Sequence, residues 1–325
     1  MRAAARCAAA LAFGCAAPAA ETAPPVPLVQ IALGRPAMGT ILEITVVAGD
    51  AARGRATIDR AFAEAERLEA IFTTWREDGE LARLNARAGG GPQPASPELI
   101  AILGDAQRFA RETGGAFDVT VGPLLALWRD AERAQALPSA GAIADARARV
   151  GAARMHLDAA RATIALEAGS SVDLGGLAKG WALDRLGELL RDDGIAASLL
   201  DFGGSSLRAR GRPLDAPAWR VALEDGEILA LGDADVSISS GFDQTLEIGG
   251  ERLSHIVDPA TGRPVAHAVR AIVFAPSGAI AEAWSTALVV RGAAGLAALP
   301  CDAGIRARVI AADGEQTRCE SAPAP

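Results

Sequence analysis

The chain has 325 residues, with 32 Lys and Arg against 40 Asp and Glu, and a net charge of −8. Its residues are 50% hydrophobic, enough for a large core in one big domain or two packed lobes, and this excludes disorder over the bulk of the chain. The acidic balance excludes a nucleic-acid binder, which would need clustered Lys and Arg for phosphates.

Residues 1–20, MRAAARCAAALAFGCAAPAA, read as a signal peptide. Arg2 and Arg6 give a positive start, an Ala-rich apolar run follows, and an A-x-A-like exit lies near Ala17–Ala19. The run is too short to span a membrane. Cys15 after Ala-Phe-Gly loosely resembles a lipobox, so a lipid anchor at Cys15 competes with ordinary cleavage and with an Ala-rich tail. Residues 21–34, opening ETAPPVP, are expected to be a stiff linker. The folded domain is expected over 35–320, with 321–325 as a tail. The expected location is periplasmic, with an inner-membrane anchor if Cys15 is lipidated. Only Cys301 and Cys319 lie outside the leader. In an exported protein they suggest one disulfide, although a hairpin turning at Asp313-Gly314 would set Cys319 opposite roughly Arg308. Four-thiolate zinc is excluded by count.

Residues 40–48 alternate like a strand. Ile58, Phe62, Ala65 and Leu68 recur at helical spacing within 54–70. Ser96-Pro97-Glu98 opens a second helix, because Ser is a good N-cap and Pro suits the first turn; it should stop near Gly114-Gly115. A short charged helix follows Pro138, over 138–150. Short strands are expected at 163–167 and 171–174, then a turn at Gly175-Gly176, a helix over Leu177–Leu190 and a strand over Ser198–Phe202. Further strands are expected at 219–223, 236–239, 246–248 and 268–275, then a helix over Ala279–Val290 and the final hairpin. Strands and helices without strict alternation read as α+β.

Three groups carry candidate chemistry. Asp173-Leu-Gly-Gly-Leu-Ala-Lys-Gly180 sits between strand and helix, where backbone amides and a helix N-terminus can meet an anion and Lys179 can add a cation. Its spacing fits neither dinucleotide fingerprint nor P-loop, and taken alone it is a structural turn. His255, in Ser254-His-Ile-Val-Asp-Pro259, precedes an Asp-Pro-x-x-Gly turn; a histidine there can serve as base or acid near neutral pH, although taken alone the structural reading is favoured. Glu282 and Thr286 lie one helical turn apart on an otherwise apolar helix. Hard oxygens of this kind suit Mg2+, while a dipole-favoured Glu and a back-bonded Thr explain the pair as well.

In this order the segments resemble the ApbE family, the FAD:protein FMN transferases, from about Arg35 to Ile310. The resemblance rests on Ala37-Met-Gly-Thr40, Phe72-Thr-Thr-Trp-Arg76, Gly115-Ala-Phe-Asp118, Val121-Gly-Pro-Leu124, Leu127-Trp128, Asp173–Gly180, Ser239-Ser-Gly241, Ser254–Pro259 with Thr261-Gly262, and Ala281–Ala287. It implies a single large T-fold-like domain of mixed sheets with packed helices. It implies that the FMN half of FAD passes to a Thr or Ser hydroxyl of a target protein, a membrane redox-pump subunit, and that AMP leaves. By position it implies Met38, Trp75, Ala116, Phe117, Asp118, Gly175, Trp181 and Ile256 at the FAD site. It implies Mg2+ on the main-chain oxygen of Ala178 and the side chains of Glu282 and Thr286, and His255 in catalysis. Lys179 and the amides of 175–180 are expected to assist the charge, and Asp173 is expected with them among the FAD-binding residues.

Three departures stand out. Glu282 occupies a position where the family usually has Asp. Trp75 and Trp181 stand where Tyr is common, in a chain with no Tyr. Gly241-Phe-Asp-Gln lacks the usual acid-aromatic order and receives no role. Two alternatives share the residues: a metal-dependent FAD pyrophosphatase releasing FMN and AMP, and a lipoprotein that binds FAD without chemistry.

Overall fold

The computed structural model describes residues 27–319 apart from Glu224, Asp243, Ala268 and Asp313. The expected leader, Cys15 and the tail lie outside the described residues. Within them, no helix is long and apolar enough to cross a membrane.

The frame is one antiparallel sheet of eight strands whose spatial order follows the chain. They are β1 (Val29–Ala37), β2 (Thr40–Ala48), β3 (Ala197–Phe202), β4 (Ser206–Arg210), β5 (Ala234–Ser240), β6 (Val269–Ala275), β7 (Arg306–Ala311) and β8 (Gly314–Arg318). Seven helices are α1 (Ala51–Phe72), α2 (Glu80–Ala86), α3 (Pro97–Glu112), α4 (Gly122–Ala134), α5 (Ala140–Arg147), α6 (Ala178–Asp192) and α7 (Gly278–Arg291). All but α7 are inserted between β2 and β3, and α7 lies between β6 and β7. The result is the expected α+β fold.

The helices cover one face of the sheet. Leu42, Ile44 and Val46 on β2 meet Ile58, Ala61, Ala65 and Leu68 of α1 in a core that also takes Leu183 and Leu186 of α6. The period-2 pattern of β2 and the 3.6-residue pattern of α1 thus converge on one apolar layer. A small hairpin, Trp219–Ala222 with Ile228–Leu231, covers part of the other face against Val47, Leu207, Ala209, Val236 and Ile272. Ser96 caps α3 by accepting from the Leu99 N–H at 3.2 Å, with Pro97 in its first turn, as the sequence implies.

Three expectations need correction. The segment 21–34 is not all linker, because β1 begins at Val29 and pairs with β2 along its length. Residues 171–174 do not form a strand; Ser171 makes one isolated parallel bridge to Val121. The disulfide between Cys301 and Cys319 is present, with Cα atoms 5.3 Å apart. The strand ends at Arg318 opposite Ala307, so Cys319 lies past the ladder, at φ 62°, and is not held opposite Arg308.

Candidate active site

α7 is the axle on which the site is assembled. It is apolar around its whole circumference and buried from Gly278 to Val289 except at Ile280 and Thr286. Successive turns touch different parts of the chain. At its start, Gly278 and Gly180 of α6 are in backbone contact: a Cβ on Gly278 would lie 2.5 Å from the Gly180 carbonyl oxygen. Only glycine at both positions permits this approach. One turn on, Glu282 is 4% exposed. Its Oε1 accepts a 2.6 Å hydrogen bond from the Ser206 hydroxyl, while Oε2 has no partner. Ser285 bonds to the hydroxyls of Ser237 and Ser239 on β5, at 2.9 and 2.8 Å. Thr286 faces the glycine turn, where a Cβ on Gly176 would lie 3.3 Å from its Oγ1 and 3.5 Å from the Phe117 ring.

The first residue of α6 is Ala178, at the end of that turn. Ala178 thus lies in sequence between Gly176, which faces Thr286, and Gly180, which touches Gly278, the start of the helix that carries Glu282. Burial pushes the Glu282 carboxyl above the usual carboxylate range; the charge of Lys179, the Ser206 hydroxyl and the Gly180 N–H pull it the other way. A buried carboxylate oxygen left unpaired costs several kcal/mol in the interior by general estimates, of order 1–3 kcal/mol for the missing hydrogen bond alone. A hard dication would repay that cost, and the donor set of carboxylate, hydroxyl and carbonyl suits Mg2+. Among the described residues there is no cluster of three His, Cys, Asp or Glu.

Part of the 175–180 amide set is engaged within the turn itself. The Gly175 N–H bonds to Asp173 Oδ1 at 2.8 Å, and the Leu177 and Ala178 N–H groups bond to the Leu174 carbonyl. These three donors are occupied in closing the turn. Lys179 Nζ donates to Ser205 Oγ at 2.8 Å, and its charge acts on Glu282.

A second wall rises from the β1–β2 hairpin. Met38 and Gly39 form its two-residue turn with φ 49° and 79°, which is type I′ geometry and strained for a residue with a side chain. The Met38 N–H is held by Glu69 Oε2 at 2.9 Å. Gly203, in the β3–β4 turn, packs directly on Thr40, so this turn bridges the hairpin to Lys179 through Ser205. Trp181 meets Phe72 edge-on at 5.4 Å.

The rim is open. Trp75 is 84% exposed. Arg129 of α4 lies 5.2 Å from its ring centre and 3.5 Å from Asp173 Oδ2, tying the indole to the glycine turn. Phe117 is buried against Phe109 and joins Ala116 in the core. The Asp118 carboxylate accepts from the Thr120 N–H and hydroxyl and from the Ala152 N–H, and so holds the 116–120 loop.

His255 follows the strand Glu251–Ser254. Its Nδ1 lies 2.8 Å from the Gln244 carbonyl. Because a carbonyl only accepts, Nδ1 is the donor in this bond. Ile256 packs into the cluster of Trp284 and Leu288, and Gly241 sits under Val289. This loop thus borders the last turns of α7, and Trp128 anchors its far end through a 2.9 Å bond to the Gly262 carbonyl. Arg291 closes α7 by donating to the Gly114 carbonyl at 3.1 Å.

Sequence reasoning missed Ser206, Ser205, Asp184, Glu69 and Arg129. Ser206 carries a local signal, a polar residue at a buried position of an alternating strand. The others reach the site only through tertiary contact.

The fold of this chain matches that of flavin transferases of known structure. The flavin transferase ApbE of Vibrio cholerae superposes with a TM-score of 0.78 at 28% identity over 91% of this chain and 98% of its own. The flavinyl transferase ApbE of Pseudomonas stutzeri gives 0.78 at 28% over 90% and 94%. The FAD:protein FMN transferases of Klebsiella pneumoniae and Salmonella typhimurium are 31% and 32% identical, over 86% and 84% of this chain and 83% and 82% of theirs. The model of the ApbE family matches residues 38–308, and the chain belongs to that family.

Proposed function

We propose that this protein is an exported, Mg2+-dependent FAD:protein FMN transferase. It takes FAD as substrate, joins the FMN phosphorus to a Thr or Ser hydroxyl of a target protein through a phosphoester, and releases AMP. The target is a membrane redox-pump subunit. The observation that carries the reading is the unpartnered, buried Glu282 Oε2 on the helix that touches the glycine turn.

Ala178, Glu282 and Thr286 would hold Mg2+, which when bound neutralises charge on the pyrophosphate and eases departure of AMP. Ser206 keeps one Glu282 oxygen engaged and leaves the other for the ion. Nε2 of His255 takes the proton of the attacking hydroxyl as its oxygen bonds to phosphorus and the bond to the AMP oxygen breaks. Trp75 offers an indole face for stacking, and Trp181 and Met38 bound the same side. The disulfide supports an oxidising compartment such as the periplasm, and an anchor at Cys15 would hold the enzyme at the inner membrane beside its target.

The test is incubation with FAD, MgCl2 and an acceptor protein bearing the target Thr. Covalent flavin fluorescence on the acceptor is the expected result. AMP without labelled acceptor would make the protein a pyrophosphatase, and intact FAD would make it a flavin-binding protein without chemistry.

A further inference from the structure

Asp184 lies midway along α6, yet its carboxylate serves α7. Oδ1 accepts from the Gly278 N–H at 2.8 Å, and Oδ2 accepts from the Ala279 N–H at 3.0 Å and the Ser277 hydroxyl at 2.7 Å. Arg208 on β4 donates to the same Oδ1 at 2.7 Å. Arg208 reaches it by passing over Gly187, where any Cβ would collide with the guanidinium, and it also pairs with the fully buried Asp235 at 3.0 Å. Ser277 already caps α7 through the Ile280 N–H, so Asp184 is not needed to supply a cap. It adds a charged link between two helices at the point where Gly180 and Gly278 touch.

These links bear on the site because each helix carries half of it. Ala178 lies on α6, and Glu282 and Thr286 lie on α7. Mg2+ demands near-ideal geometry and tolerates displaced ligands poorly. Resting on the metal reading above, we infer that Asp184 is a positioning residue: by gripping the first N–H groups of α7 it fixes the spacing between the Ala178 oxygen and the Glu282–Thr286 face. Arg208 orients Asp184 and balances its charge. In Asp184→Asn, one oxygen becomes an NH2 group. That group then faces the Ala279 N–H, donor against donor, and the start of α7 shifts.

The test measures Mg2+ affinity directly. MgCl2 is titrated into the flavin-free protein by calorimetry, with intrinsic fluorescence followed in parallel because Trp181 and Trp284 lie on the two helices. FAD affinity is measured separately without metal. Asp184→Asn should weaken Mg2+ binding about tenfold, the lower end of losses seen when groups orienting metal ligands are removed, and leave FAD affinity within twofold. Ser277→Ala, which removes one of the three links, should give a smaller loss of the same kind and covers the case in which Asp184→Asn does not fold. Unchanged Mg2+ affinity in the folded variants, with only a lower Tm, overturns the inference and makes Asp184 purely structural. Absence of Mg2+ binding in the native protein overturns the metal reading and this inference with it.

Discussion

The two sides of the cleft are built by opposite means. The α6–α7 wall is buried and tied together: Glu282 is 4% exposed, two glycines bring the backbones into contact, and Asp184 adds three links. The rim opposite leaves Trp75 84% exposed, held by one cation–π contact. The wall bears a desolvation cost before any ligand arrives, because a charge that must meet a dication has to be fixed in advance. The rim bears almost none, because a stacking surface gains its energy when the ring system covers it. Substitutions in the wall should therefore change chemistry and stability together, and substitutions in the rim should change affinity alone.

The largest effect expected is at the wall. Glu282→Ala should abolish Mg2+-dependent AMP release from FAD; undiminished release would remove Glu282 from the site. His255→Ala comes next, with transfer slowed at least ~10²-fold and FAD binding nearly intact. A normal rate at saturation with weakened binding would make the histidine structural. Trp75→Ala should weaken FAD binding up to about tenfold, as expected for loss of about 1.4 kcal/mol of aromatic contact, with kcat unchanged; a fall in kcat at saturating FAD would break the contrast between rim and wall.

The smallest effect concerns stability. Burial raises the Glu282 carboxyl in the folded state. A raised folded value means that its contribution is fully present below the unfolded carboxylate value, near 4.3, and is lost as pH rises through the folded value. At neutral pH without metal, Glu282→Gln should thus raise the Tm, by about 2 °C for a gain near 1 kcal/mol, while losing Mg2+ binding. The gain should vanish as pH falls to about 4. A Tm that drops at neutral pH would show that the carboxylate stabilises the empty site.

The same contrast governs how much could be read from the sequence. α1 and α3 are legible because one face is apolar and the ends carry local signals, such as the Ser96 cap. β1 was hidden because the Pro-rich ETAPPVP gives a linker reading that carries on to residue 34; the strand holds Pro36 because it is an edge strand, where a missing N–H is tolerated. The stretch 171–174 has strand composition, but only Ser171 makes a β-bridge, while the Val172 backbone bonds to the Asn85 side chain and the Asp173 N–H to the Val119 carbonyl. α7 was visible as a helix, but its orientation was not, since a helix apolar all round gives no stripe to orient it. The resemblance named Ala178, Glu282 and Thr286, yet nothing local revealed that Ser206 and Asp184 hold them, because those bonds span 76 residues or more. The reading of the 175–180 amides as a charge-binding set likewise could not foresee that Asp173 and Leu174 take up three of them.

The central claim is that α6 and α7 together hold a dication against the FAD pyrophosphate. A crystal grown with FAD and MnCl2, recorded at the manganese edge, tests it most directly. The account predicts one anomalous peak about 2.0–2.3 Å from Glu282 Oε2, Thr286 Oγ1 and the Ala178 carbonyl oxygen, in contact with the phosphates. Flavin bound in the cleft with no peak there, or a peak on other residues, would contradict it.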